Sequence, residues 1–94
     1  VDTVPGSHLG AVTRAPADTP GVDAGGVLTV EATVAGQPVM GLNGTRPGGE
    51  RPPFTHAVSL ALACERDEDL ERVWERLLEG GKPLACGWLT DRYG

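Results

Sequence analysis

The sequence predicts an α+β fold, and three observations carry that reading. Residues 27–34 (VLTVEATV) alternate with the period of a strand. Leu70, Val73, Trp74, Leu77 and Leu78 recur with the period of a helix. Several strand-like runs stand against that one helix, so strands and helix are not interleaved as in a parallel α/β protein.

Residues 8–14 (HLGAVTR) read as a short first strand. Residues 15–26 hold Pro16, Pro20, Gly21, Gly25 and Gly26 without periodicity. They predict an exposed loop, either a mobile flap or a disordered insert. In the next run Leu28, Val30, Ala32 and Val34 share one face, and Val27, Thr29, Glu31 and Thr33 the other. Ala35-Gly36 joins it to residues 37–43 (QPVMGLN), which predicts a β-hairpin. Pro38 puts the second of these strands at an edge or at a strand entry. Residues 44–53 (GTRPGGERPP) form a Pro/Gly-rich connector between two halves of similar size.

Residues 54–64 (FTHAVSLALAC) read as a long strand, apolar on both faces. The helix follows, with Asp67 as its expected N-cap and Glu68 and Asp69 in the first turn. Glu68 and Arg72 stand at i,i+4 spacing, suited to an ion pair. Gly80-Gly81 ends the helix, Pro83 prevents its resumption, and residues 84–89 lead into a final strand. One helix covers only part of one sheet face, so the remainder needs a ligand, a second chain or a further element.

Composition excludes several functions. The chain has 94 residues and a net charge of −5, with Lys82 its only lysine and seven arginines scattered among acids. Duplex nucleic acid draws its affinity from clustered cations, so no nucleic-acid partner is expected. No apolar run approaches the roughly 20 residues of a membrane helix. No glycine-rich loop stands between a strand and a helix, so the phosphate-cradling geometry is not expected. Ser7 and Ser59 are the only serines, and neither lies in a GxSxG elbow. Cys64 and Cys86 do not make a disulfide framework and read as buried thiols. With no charged and apolar leader visible, a cytoplasmic location is expected.

Two residues are candidates for chemistry. His56 sits at the entry of the long strand, where an imidazole reaches a cavity either as a metal ligand or as a hydrogen-bonded structural residue. Glu31 stands between Thr29 and Thr33, and that row lines either a solvated sheet face or a polar cup. Asn43, at a strand end, is a further oxygen donor.

Several pieces now combine. They are Val27-Leu28-Thr29-Val30-Glu31, Gly36-Gln37-Pro38-Val39-Met40, Leu42-Asn43-Gly44, and Phe54-Thr55 with Ala57-Val58-Ser59-Leu60. Trp74, Gly80-Gly81 and Cys86-Gly87-Trp88-Leu89, with Asp91 and Gly94, complete the set. In this order the chain resembles the PhnB-like branch of the vicinal oxygen chelate (glyoxalase/bleomycin-resistance/dioxygenase) superfamily, a branch also labelled 3-demethylubiquinone-9 3-methyltransferase-like. The resemblance implies βαβββ modules forming a curled mixed sheet, here incomplete at both ends. Residues 7–43 would be the later strands of the first module, 44–53 the linker, and 54–94 the strand-helix-strand that opens the second. It implies a small organic ligand held in a sheet-lined cup, and a homodimer. It also implies one divalent metal ion in any lyase, isomerase or dioxygenase form, with His56 as a ligand and Glu31 as the nearest general base. Asn43 falls where metal-using relatives carry an acid. A non-catalytic binder of antibiotic type is the alternative.

Overall fold

The computed structural model describes residues 3–44 and 49–94. Residues 45–48 of the 44–53 connector lie outside the described residues. The chain divides into two units, one built on Gly6–Pro53 and the other on Phe54–Gly94 together with Thr3–Pro5.

The first unit is a three-stranded antiparallel sheet. Its strands are β1 (His8–Arg14), β2 (Val27–Val34) and β3 (Gln37–Leu42), in the order β1-β2-β3. The β2–β3 ladder is regular from Thr29↔Leu42 to Val34↔Gln37. Ala35 and Gly36 both adopt positive φ, +49° and +81°, the pattern of a type I′ turn. That turn is held to the chain before β1. The Ala35 N–H donates to Ser7 Oγ at 2.9 Å, and the Gly36 N–H donates to the Gly6 carbonyl at 3.0 Å. Pro38 lies on β3, an edge strand of this sheet, where its missing N–H breaks no ladder bond.

The connection between β1 and β2 is ordered, which corrects the flap-or-disorder expectation. Thr19-Pro20-Gly21-Val22 forms a turn with Gly21 at φ +81°, and Thr19 and Val22 exchange backbone hydrogen bonds of 2.9 and 3.0 Å. Proline followed by a positive-φ glycine is the requirement of a type II turn. The Ala24 N–H donates to Asp18 Oδ1 at 2.8 Å, and the Ala15 N–H to the Gly26 carbonyl at 2.9 Å. Ala15 and Val22 are buried at 3% and 6% exposure, so the small core of this unit lies under the connection rather than on the sheet. The open side of the sheet carrying Leu9, Val12 and Val39 is left exposed.

The second unit contains α1 (Asp67–Leu78) and a short hairpin of β4 (Lys82–Pro83) and β5 (Leu89–Thr90). Arg66, not Asp67, is the N-cap: its backbone is extended (φ −122°, ψ 143°) and its carbonyl accepts from the Leu70 N–H at 3.1 Å. The acids occupy the first turn, where the helix dipole favours them. Asp69 pairs with Arg66 at 3.1 Å and Arg72 at 3.2 Å, so Arg72 bonds one turn back to Asp69 rather than to Glu68 as the spacing predicted. Val73 is the buried residue of the helix. Gly80 at φ +73° reverses the chain after the C-terminus, and the Gly81 N–H donates to the Leu78 carbonyl at 2.9 Å.

Residues 84–89 do not run as one strand. Ala85–Gly87 form a 3-10 turn, with Cys86 in the left-handed region at φ 58°. The turn is closed by the Leu84 N–H donating to the Trp88 carbonyl at 2.7 Å. Cys86 is therefore exposed at a loop tip, not buried at a strand start, while Cys64 is half-buried; both are free thiols. No helix among the described residues is long and apolar enough to cross a membrane.

Candidate functional site

Residues directly opposite one another on an antiparallel ladder share a face. On the Glu31 face, Glu31 opposes Met40 of β3, and Thr33 opposes Pro38 of β3 and His8 of β1. One row in the other direction, Thr29 opposes Leu42 and Thr13. The face therefore carries one carboxylate, an imidazole and several hydroxyls beside the apolar shelf of Pro38, Met40 and Leu42, with Arg14 opposite Val27 at its far end.

The register is broken next to Glu31. Leu9 pairs with Ala32 and Val12 with Val30, so Gly10 and Ala11 together stand against the single residue Glu31. This is a β-bulge, a device that bends a strand and redirects side chains. A Cβ on Gly10 would lie 3.1 Å from the Glu31 carbonyl oxygen and 3.4 Å from the Glu31 Cβ. A side chain there would press on the Glu31 backbone, so glycine permits the close approach of β1 to β2 at the bulge. An open cleft of about 520 Å³ lies here, with His8, Gly10, Glu31, Thr33, Pro38 and Met40 among its lining. A carboxylate accepts hydrogen bonds, a threonine hydroxyl donates and accepts, and an imidazole does either. The cleft suits a molecule with a polar head and an apolar body.

Asn43 is occupied elsewhere. Its Nδ2 donates to the Val27 carbonyl at 3.1 Å, and its Oδ1 accepts from Arg51 at 3.1 Å. Arg51 also donates to the Gly21 carbonyl at 3.1 Å, so the pair fastens the end of β3 to the β1–β2 connection. Asn43 is a clasp rather than a free oxygen donor.

His56 does not stand in a strand. Residues 54–64 form no strand among the described residues, and His56–Ala57 is a turn. The expectation failed because a strand needs a ladder partner for its N–H and C=O groups, and apolar composition does not supply one. Instead the Ala57 N–H donates to Thr55 Oγ1 at 3.3 Å, a local bond that favours a turn. His56 is exposed there. Glu31 and His56 belong to different units. No three His, Cys, Asp or Glu side chains gather as a metal set among the described residues. The donors among the described residues therefore do not fit a metal centre.

Sequence reasoning missed His8, Gly10 and Met40 as lining residues. The signal was a glycine inside a strand-like run, which marks a bulge or a close approach.

A three-stranded antiparallel sheet with an open polar-apolar cleft, followed by a strand-poor unit with one helix, defines an α+β protein, and similarity to known proteins makes it one of the glyoxalase type. The family model for 3-demethylubiquinone-9 3-methyltransferase matches residues 1–94, and the chain belongs to that family. Among solved structures it is similar to a PhnB protein from Bacillus cereus. The two are 27% identical with a TM-score of 0.78, over 99% of this chain and 78% of that one. No curated protein matched the chain.

Proposed function

We propose that the chain binds a small organic ligand in the cleft over Glu31, as a non-catalytic member of its family. The observation that carries this reading is the open cleft over Glu31, beside the Gly10–Ala11 bulge. Glu31 accepts a hydrogen bond from the ligand, Thr33 and His8 offer further polar contacts, and Met40 and Pro38 cover its apolar part. The family description names a methyltransferase, but a reaction is argued from a site rather than from a family label.

In a catalytic form of this reading Glu31 is the general base. The metal-dependent version needs His56 and further donors. Its discriminating measurement is zinc or manganese uptake by the native protein and His56→Ala: equal stoichiometry in both removes His56 as a ligand. A second copy of the chain completing the cup belongs to the same proposal, and sedimentation velocity tests it.

The binding reading is tested by titrating the 15N-labelled chain with a library of charged and neutral aromatic fragments. Shifts should cluster on the amides of His8, Gly10, Glu31, Thr33 and Met40. Hits that leave these amides unmoved while shifting residues of the second unit would reject the cleft as the site.

A further inference from the structure

We propose that the Glu31 cleft selects organic cations, specifically a protonated amine carried on an apolar ring. The inference rests on the ligand-binding reading above and adds the charge of the ligand to it. Its basis is where the arginines among the described residues of this unit go. Arg14 Nη1 donates to the Gly25 carbonyl at 3.0 Å. Arg51 is spent on Asn43 and the Gly21 carbonyl. The ion pairs among the described residues all lie between Arg66 and Arg92, in the other unit. Glu31 thus has no cationic side chain bonded to it among the described residues.

The immediate neighbours of Glu31 are uncharged. Met40 faces it across the β3 ladder, and Gly10 lies on the β1 flank. Pro38 and Met40 are two residues apart on one face, about 7 Å along the strand, enough to underlie a single aromatic ring. Met40 is 64% exposed, and its flexible thioether makes favourable contacts with aromatic edges. The cleft opens beside Glu31, and Gly10 adds no side chain to fill it. Charge and shape then point the same way: ammonium toward Glu31, ring over Pro38 and Met40.

Three probes of nearly equal size separate charge from shape: 2-phenylethylamine, 2-phenylethanol and 3-phenylpropionate, titrated into the 15N-labelled full chain. The amine should shift the amides of Gly10, Glu31, Thr33 and Met40 and bind about fivefold tighter than the alcohol, as an exposed charge pair allows. The carboxylate should bind weakest. Glu31→Gln should erase the preference of amine over alcohol, and Gly10→Val should weaken all three probes. High salt in the native protein should also erase the preference, which keeps the test independent of variant folding. Equal binding of amine and alcohol at these amides would overturn the charge assignment while leaving the cleft as a ligand site. Failure of the amine to shift these amides would overturn the inference outright, and the fragment library then decides the broader reading separately.

Discussion

Ala35 turns the β2–β3 hairpin in a conformation that suits it poorly. Its φ is +49°, and Gly36 follows at +81°. An L-residue with a Cβ loses roughly 1–2 kcal/mol in the left-handed region, whereas asparagine occupies it more readily through local hydrogen bonding. Ala35→Asn should therefore raise stability by about 1 kcal/mol. The surroundings leave that gain intact. Ala35 is exposed, and the bonds from residues 35 and 36 to Ser7 and Gly6 use backbone N–H groups that the substitution keeps. In a chain of this size, 1 kcal/mol moves the melting temperature by about 4–8 °C. Circular-dichroism melting of wild type, Ala35→Asn, Ala35→Gly and Gly36→Ala gives the reading. Ala35→Gly should melt near wild type, because relief of the Cβ is offset by greater freedom of the unfolded chain. A Cβ on Gly36 would meet nothing within 4 Å, so Gly36→Ala carries only the backbone cost and should melt lower by a similar margin. An Ala35→Asn protein that melts at or below wild type, or a Gly36→Ala protein that melts with it, would refute the I′ argument.

Three other outcomes follow from the second unit. Val73 is 4% exposed, and Val73→Ala removes two buried methyl groups and leaves a cavity, for a loss of about 2 kcal/mol by urea titration. Leu70→Ala, at a position 51% exposed, should cost clearly less. A Cβ on Gly81 would overlap the Thr90 carbonyl oxygen and approach the Asp91 backbone to 2.9 Å, so Gly81→Ala should lose about 3 kcal/mol or displace β5. Gly87→Ala is its control: φ is +80° with nothing near, and only the conformational cost of about 1 kcal/mol applies. The Arg66 guanidinium bonded to Asp69 holds that carboxyl below its usual value. Its native value lies under the unfolded one, so the stabilisation is complete above the unfolded value and disappears as pH falls through the native value. Helix content followed by circular dichroism into acid should fall less steeply in Asp69→Asn than in wild type.

Much of this was legible from local pattern. The alternation of residues 27–34 and the two-residue link at Ala35-Gly36 specify β2, its partner and the hairpin, because period and turn chemistry act within a few residues. The apolar stripe and the double glycine specify α1 in the same way. Residues 54–64 were misread because pairing is a property of two segments, and a strand-like composition holds no information about its partner. Residues 15–26 were misread because hydropathy has no sight of side-chain bonds such as Asp18 to Ala24, although Thr19-Pro20-Gly21-Val22 carried a turn signature in plain view. In the candidate site, Glu31 emerged from strand parity. The bulge beside it did not, since it is defined by register with β1 and only the assembled sheet reveals it.

Irregularity at both margins of that sheet has a consequence for how molecules of this protein meet in solution. A straight, fully bonded rim invites another chain to extend it, and the invitation repeats until fibres grow. Here Pro38 leaves one rim short of a donor, and the kink at Gly10–Ala11 bends the other out of line. Any strand that joins must match those flaws, so growth by indiscriminate edge-to-edge addition is discouraged while a tailored neighbour is still admitted.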